Sequence, residues 1–190
     1  MSRNVRRLLL AAVIAVAAAS LTSCSLTAVV QIAAGKAHTC ALLDNGTVRC
    51  WGDNTSGQLG HASANTRESA PVVVSGIDGV SARAVAVSAG RHTCAILDSG
   101  ALRCWGSDAS AQLGDGMDAG GDERAPVAVV GIDGTLARAT SVAAGELHTC
   151  ATLDDGSVRC WGSNTSGQLG INDSNVLGLF TPGLVPGVAN

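Results

Sequence analysis

The side chains of this chain that are best suited to chemistry are cysteines and histidines, and nearly all of them recur at fixed spacing. Six of the seven cysteines form three pairs with a ten-residue separation, Cys40 and Cys50, Cys94 and Cys104, and Cys150 and Cys160. A histidine stands two residues before the first copy of this pair, and the other copies repeat it, giving His38, His92 and His148. Such thiols can form disulfides or stay reduced, and the first pair with His38 could also supply three zinc ligands.

The recurrence of these residues argues against an enzyme. A catalytic site is usually unique, with its nucleophile, acid and base placed by different elements. Here every histidine except His61 and every cysteine except Cys24 is triplicated, and the sequence has no G-x-S-x-G, H-E-x-x-H or phosphate-loop motif. We therefore expect no catalytic residue and no cofactor, and an exported lyase is the remaining enzymatic alternative.

The unrepeated segment 115–123 concentrates acidic side chains. Its four carboxylates belong to Asp115, Asp118, Asp122 and Glu123. Carboxylates are Ca²⁺ ligands, but their spacing here does not match an EF-hand loop. A solvated acidic loop is the simpler prediction, and a calcium site is the alternative.

The elements that position these residues form a repeat with three copies. Gly35, Gly90 and Gly145 open the same phrase at steps of 55 residues, and its first copy reads GKAHTCALLDNGTVRCWGDNTSGQLG. Copy two lacks one residue before His92 and has Asp108 where copy one has Asn54. Each copy offers four short strands, the last led by a proline that fits a strand start or an edge. Four-stranded units of this length in series are typical of β-propeller blades.

The hairpin inside each copy predicts which cysteines face each other. The three-residue segment Asp44-Asn45-Gly46 suits a turn closed by a left-handed glycine, and this register places Cys40 directly opposite Cys50. Opposed residues have Cβ atoms about 4.5–5.5 Å apart, within a small adjustment of disulfide geometry. Three intra-blade disulfides are the favoured prediction, with zinc binding and reduced thiols as alternatives.

Side-chain alternation along the hairpin sorts the remaining residues into two faces. One face carries His38 and Cys40, and the other carries Arg49 and Trp51. We expect the histidines to be buried and bonded to neighbouring backbone groups, and the tryptophans to pack against the next blade. The tryptophans are Trp51, Trp105 and Trp161. Ligand stacking by the tryptophans and an anion site at the equivalent arginines are the alternatives.

Composition excludes several classes of protein. The chain is 46 % hydrophobic and only 14 % charged, which excludes a disordered chain. Its net charge of −3 and aromatic content of 2 % exclude a typical nucleic-acid binder. The 24 glycines disfavour a helical bundle, so an all-β fold of three four-stranded antiparallel blades, an incomplete or open propeller, is predicted.

The first residues have the pattern of a targeting sequence. Arg3, Arg6 and Arg7 precede the apolar run 8–19, the form of a secretory signal. The following Leu21-Thr22-Ser23-Cys24 resembles the lipobox of bacterial lipoproteins, which implies cleavage before Cys24 and lipidation of its thiol. An ordinary signal peptide and an uncleaved anchor are the alternatives. We therefore expect an exported protein that is lipid-anchored to the membrane of the bacterial cell envelope, where disulfides persist.

These features divide the chain into a signal peptide, a tether, three repeats and a tail. The predicted bounds are 1–23, 24–28, 29–79, 80–134, 135–187 and 188–190.

The repeated phrase resembles the regulator of chromosome condensation repeat, in the cysteine-bearing form of secreted bacterial proteins. The resemblance implies propeller blades and a general mode of protein binding through blade loops. The nucleotide-exchange activity of the nuclear relative is not expected, because an exported protein does not meet a cytosolic GTPase. The candidate binding-loop residues are Asp53, Asn54, Asp108, Asp115, Asp118, Asp122, Glu123 and Asn164.

The sequence thus predicts a non-enzymatic binding module for an unknown protein partner, with no nucleic acid. Closed propellers have about four to eight blades, so three copies leave two blade faces without a neighbour. Self-association of blades into a homo-oligomer is the alternative function, and a truncated piece of a larger propeller is another reading.

Overall fold

The computed structural model describes residues 27–117 and 121–188. The predicted signal peptide 1–23, the lipidation site Cys24 and the acidic residue Asp118 lie outside these described residues. Within the described ranges there is no helix with the length and apolar character needed to cross a bilayer.

Twelve β-strands account for the regular structure of the described residues. They are β1 (Val29–Ala34), β2 (His38–Leu43), β3 (Thr47–Asp53), β4 (Arg67–Asp78), β5 (Ala84–Ala89), β6 (His92–Leu97), β7 (Ala101–Gly106), β8 (Glu123–Asp133), β9 (Ala139–Ala144), β10 (His148–Leu153), β11 (Val158–Ser163) and β12 (Gly178–Leu184). They form three four-stranded antiparallel sheets in sequential order, β1 to β4, β5 to β8 and β9 to β12. The predicted all-β fold of three blades in an open arrangement is confirmed.

The hairpin register predicted from the turn length is the one found. Cys40 pairs with Cys50, and the two other copies repeat this pairing. Gly46 closes the turn with φ of 82°, and its N–H donates to the Leu43 carbonyl at 2.9 Å. A positive φ is accessible to glycine without steric cost, so this residue fixes the turn and thereby the register.

The opposed cysteines are joined by three disulfides. The bonds are Cys40–Cys50, Cys94–Cys104 and Cys150–Cys160, each with a Cα–Cα distance of 4.1 Å. Their sulfurs are therefore not thiolates that could hold zinc, so the zinc and reduced-thiol alternatives do not describe this structure.

The fourth strand of each sheet differs from the sequence expectation. Proline does not open it: Pro71 is an interior residue of β4, which begins at Arg67. The β3–β4 ladder is shifted between the pairs Cys50↔Val72 and Gly52↔Glu68, and Pro71 lies in that bulge. Since β4 is an edge strand and the bulge leaves its residues outside the ladder, the missing N–H costs no sheet hydrogen bond.

Neighbouring blades pack through two unlike faces. We call the side that carries the disulfide the cystine face and the opposite side the tryptophan face. One core cluster joins Cys40, Leu42 and Val48 of blade one to Val87 and Trp105 of blade two, and a second joins the equivalent groups of blades two and three. The tryptophans thus pack against the preceding blade, not the next one as predicted, because their face points back along the chain.

The two outermost faces of the stack have no further blade against them in the described residues. On blade one, Ile32 is 56 % exposed where its equivalent Val87 is 2 % exposed. On blade three, Val188 is 62 % exposed where Ile132 is 1 % exposed. The three sheets therefore form an open row, with an unpaired tryptophan face at one side and an unpaired cystine face at the other.

Candidate binding site at the long-loop end

Each sheet has two ends of different character. At one end, which we call the turn end, lie the short hairpin turns 44–46, 98–100 and 154–156. At the opposite end, the long-loop end, β3, β7 and β11 run into the connections 54–66, 107–122 and 164–177. Because all three blades have the same topology and stack side by side, their long connections gather at the same end of the molecule.

A buried side chain organises each long loop from inside. The Asn54 side-chain oxygen accepts from the Leu59 N–H at 3.2 Å, and its amide donates to the Asn65 carbonyl at 2.8 Å. Asn164 repeats this with the Leu169 N–H at 3.1 Å. The two asparagines are only 1 % and 4 % exposed. The sequence placed both among the candidate binding residues, but they hold the loop closed and are not available to a partner.

Asp108 takes the same position in blade two and brings a buried carboxyl group. It is 1 % exposed and accepts from the Leu113 N–H at 2.9 Å. Burial raises the pKa of Asp108 to about 6, the Leu113 N–H opposes this rise, and nearby carboxylates, beginning with Asp115, add to it. This side chain is also a loop support. An ionised carboxylate cannot make the donor contact that the asparagine amides make.

The other acidic candidates lie around these supports. The Asp53 carboxylate is half-buried and accepts from the Thr55 hydroxyl at 2.9 Å and from the Gln58 amide. The Asp115 carboxylate accepts from the Met117 N–H at 3.0 Å.

The remaining acidic candidates flank the start of β8. Asp122 is exposed and accepts from the Asp108 N–H at 3.1 Å, whereas Glu123 is half-buried as the first residue of β8. Within residues 27–117 and 121–188, no group of three or more histidine, cysteine or acidic side chains is placed to hold a metal ion.

A repeated hydrogen-bond set locks the long-loop end of one blade to the next. The Gln58 carbonyl accepts from the Thr93 hydroxyl at 2.9 Å and from the Trp105 Nε1–H at 3.0 Å. The Gln112 carbonyl accepts from Thr149 at 2.7 Å and from Trp161 at 2.9 Å. Sequence reasoning missed both glutamines, although their place in the repeated G-Q-L-G segment marks them as part of the repeat.

The histidines complete this lock. His38 Nε2 lies 2.7 Å from the Thr93 hydroxyl oxygen, and His92 Nε2 lies 2.6 Å from that of Thr149. Since each threonine proton is donated to a glutamine carbonyl, the histidine Nε2–H is the donor in these contacts. The prediction of backbone partners is therefore wrong, because each Nε2 is hydrogen-bonded to a threonine hydroxyl of the next blade. His148 has no following blade in the described residues.

Burial keeps these imidazoles neutral. Desolvation lowers the pKa of His38 to about 4, and the charge of Asp53 only partly offsets it. Desolvation lowers the pKa of His92 to about 3, and the two other histidines lower it further. His38 and His92 are thus structural links between blades and are neutral at neutral pH.

A cleft opens at the long-loop end between blades one and two. It has a volume of about 250 Å³, and its lining includes Lys36, Asp53, Gln58 and Arg91. Next to it, just after the ends of β1, β5 and β9, the Glu146 carboxylate accepts from Lys36 Nζ at 3.1 Å and from Arg91 Nε at 2.9 Å. Blades two and three have serines, Ser107 and Ser163, at the position of Asp53, so the Asp53 carboxylate of this cleft has no equivalent in the other two blades.

Comparison with known families agrees with the repeated architecture. A family model described as "Regulator of chromosome condensation (RCC1) repeat" matches residues 45–97 and 99–152. A second model with the same description matches residues 29–58, 83–112 and 139–168.

The chain belongs to the RCC1 repeat family.

Among sequence relatives of this RCC1-repeat chain is the Ultraviolet-B receptor UVR8 of Arabidopsis thaliana, 36 % identical over 77 % of the chain and 32 % of the relative. The E3 ubiquitin-protein ligase HERC2 of Homo sapiens is 34 % identical over 78 % of the chain and 3 % of the relative. The chain thus spans at most about a third of these relatives, and their own activities belong to much longer proteins.

Solved structures show the same fold. Human WBSCR16 superimposes with a TM-score of 0.71 at 26 % identity, over 83 % of this chain and 38 % of that one. Prp20p of Saccharomyces cerevisiae, described with its binding to Gsp1p and histones, gives a TM-score of 0.67 at 22 % identity, over 85 % and 38 %.

Proposed function

We propose that this RCC1-repeat chain is a non-enzymatic protein-binding module of the cell envelope, and that its long-loop end contacts the partner. The observation that carries the proposal is the contrast between the repeated blade structure and the variable parts of the long loops. The supports at Asn54, Asp108 and Asn164 and the segments that follow them directly are repeated, whereas the later parts of the long loops, 61–66, 115–122 and 171–177, differ in sequence among the blades.

Several properties of the loops support a protein partner. Loops on a rigid scaffold are the usual carriers of binding residues. The loops combine exposed apolar groups, with Met117 at 65 % and Leu177 at 68 % exposure, with the acidic side chains of Asp115 and Asp122. Apolar anchors with a charged rim are the pattern of protein interfaces. RCC1-repeat propellers generally bind other proteins.

The position at which the chain enters the first blade is suited to exposing the long-loop end to a partner. The Ala28 carbonyl accepts from the Asp44 N–H at 2.9 Å, so the chain enters the first blade at the turn end. A lipid on Cys24 would hold the turn end toward the membrane and leave the long-loop end facing away. Cys24→Ser is expected to abolish incorporation of labelled palmitate, and unchanged labelling would contradict the tether.

The binding proposal is tested with two matched charge-reversal variants. Asp115→Lys with Asp122→Lys alters the long-loop end, and Asp44→Lys with Asp98→Lys makes the same change of charge at the turn end. Each variant is used as bait on solubilised envelope, with its melting temperature as the check on folding. We expect the first variant to lose the proteins that the wild type retains and the second to keep them. Equal retention by both folded variants would contradict the proposal.

A further inference from the structure

The chain carries both halves of its own blade-to-blade interface on its two outermost faces. Two complete interfaces are seen inside the chain, each formed by the cystine face of one blade and the tryptophan face of the next. Among residues 27–117 and 121–188, no further blade covers the tryptophan face of blade one or the cystine face of blade three. From this complementarity we infer that two copies of the chain associate head to tail, with the cystine face of blade three on the tryptophan face of blade one of the second copy.

The hydrogen-bonding groups of the internal interfaces have counterparts on these outer faces. Inside the chain, a threonine hydroxyl and a tryptophan Nε1–H both donate to one glutamine carbonyl, as Thr93 and Trp105 do to Gln58. On the outer faces the donors are Thr39 and Trp51 of blade one, and the acceptor carbonyl belongs to Gln168 of blade three. When a second copy binds, the Thr39 and Trp51 donors of one copy meet the Gln168 carbonyl of the other, as the equivalent groups meet at the two internal interfaces.

The histidine link and a backbone bond have counterparts as well. His148 occupies the position from which His38 and His92 donate to a threonine of the following blade. The Ala84 N–H donates to the Gly46 carbonyl across the first interface at 2.9 Å, and Ala139 to Gly100 across the second at 2.8 Å. The equivalent Gly156 has no such neighbour among the described residues, since a Cβ built there meets no atom within 4 Å, whereas at Gly46 and Gly100 it meets an arginine of the following blade.

The apolar exposure of the outer faces matches what the internal interfaces bury. Ile32 is 56 % exposed, whereas its equivalent Val87 is 2 % exposed against blade one. Val188 is 62 % exposed, whereas Ile77 and Ile132 are each 1 % exposed at their interfaces. Burial of such groups is the main favourable contribution to association.

Two positions of the outer cystine face depart from the pattern and weaken the contact. Gly183 stands where Val72 and Val127 pack at the internal interfaces. Thr152 stands on the outer cystine face where Leu42 and Ile96, each 2 % exposed, enter the internal interfaces. The hydroxyl replaces an apolar group, so the interface between copies is looser than the two inside the chain. A head-to-tail contact that closes on itself gives a ring, and two copies supply a number of blades within the range of about four to eight that closed propellers use.

The test measures the mass and fluorescence of the full chain, purified in a mild detergent. Native mass spectrometry is expected to show a two-chain particle at micromolar concentration. Ile32→Arg should remove this particle, and Leu136→Arg should not, because Leu136 is 94 % exposed on a turn-end loop away from both outer faces. The fluorescence of Trp51, the half-exposed tryptophan, should shift to shorter wavelength as the two-chain particle forms.

Two further variants keep the test independent of misfolding. Thr152→Ile should tighten the association by about tenfold, because it adds apolar area to the interface. Ile32→Arg and Val188→Arg should each be single chains alone and form a mixed two-chain particle when combined, since one intact interface then remains. A folded single chain up to about 100 µM, a variant with one altered outer face that still self-associates, or a different protein seated on these faces would overturn the inference.

Discussion

At the scale of single residues, the buried Asp108 lowers the stability of the folded chain at neutral pH. Its carboxyl is 1 % exposed, and burial raises its pKa to about 6, so folding at neutral pH must keep a charge in a poorly solvated place. The equivalent positions of blades one and three carry Asn54 and Asn164, whose uncharged amides donate hydrogen bonds to loop carbonyls.

Asp108→Asn is expected to stabilise the protein at pH 7. The folded pKa lies above the unfolded value of 3.8, so the wild-type penalty is full above pH 6 and disappears as pH falls toward 4. The free energy of unfolding should rise by about 1–2 kcal/mol at pH 7 and change little at pH 4. Urea unfolding at the two pH values measures this, and a loss of stability at pH 7 would contradict the account of the site.

The buried histidines predict the opposite dependence on pH. The pKa values of His38 and His92, about 4 and about 3, lie below the unfolded value of 6.5, so the unfolded chain binds protons that the native chain does not. Stability is therefore full above pH 6.5 and falls as the pH drops below it.

The contribution of one histidine can be isolated with His92→Gln. Each fully shifted histidine costs about 2 kcal/mol of unfolding free energy between pH 7 and pH 5. The variant loses some stability at pH 7 but should decline with pH by about 2 kcal/mol less than the wild type. Equal declines for variant and wild type, measured without reducing agent, would show that His92 is protonated in the native state.

At the scale of the strand, the equivalent tryptophans of blades one and two lie in different environments. Trp105 is fully buried against Gly60 of blade one, where a Cβ on the glycine would meet the indole Nε1 at 2.6 Å. Trp51 occupies the same strand position and is half-exposed on the outer face of blade one.

The two positions predict a matched pair of variants. Trp105→Ala should lower the free energy of unfolding by about 3–5 kcal/mol, because it empties a packed interface and removes the hydrogen bond to Gln58. In the separated single chain, Trp51→Ala should cost clearly less. Chemical unfolding of both variants under dilute conditions measures the difference, and equal costs would contradict the packing described here.

The disulfides allow a similar comparison between blades. Cys94→Ala with Cys104→Ala, and Cys150→Ala with Cys160→Ala, each remove a bridge worth about 2–3 kcal/mol. The first pair lies wholly inside a blade interface, whereas Cys150 is half-buried on the outer face. The blade-two variant should therefore be the less stable one in thermal unfolding, because it also leaves a cavity. The reverse order would contradict the assignment of faces.

The sequence predicts those parts of a blade that local rules determine. Turn length and the glycine at position 46 fix the register, and the register pairs the cysteines. Contacts between blades were predicted less well. His38 meets Thr93 from 55 residues away, and which face points forward depends on how twisted sheets stack, which alternation along one strand does not specify.

At the scale of the whole molecule, the three blades form a frame with two kinds of surface. The outer blade faces repeat most of the chemistry of the internal interfaces, whereas the later parts of the long loops differ from blade to blade. The candidate site could be located only roughly from the sequence. Asn54 and Asn164 have the residue type of an exposed loop, and only the closed loop shows that their amides point inward.

The most direct test of the proposed function is photo-crosslinking in intact cells. A photoreactive residue is placed at Met117 of the long-loop end, and at Leu136 of the turn end as the matched control, since these apolar side chains are 65 % and 94 % exposed. We expect a discrete crosslinked protein from position 117 and none from position 136. Crosslinking from position 136 with none from position 117 would contradict the assignment of the binding end.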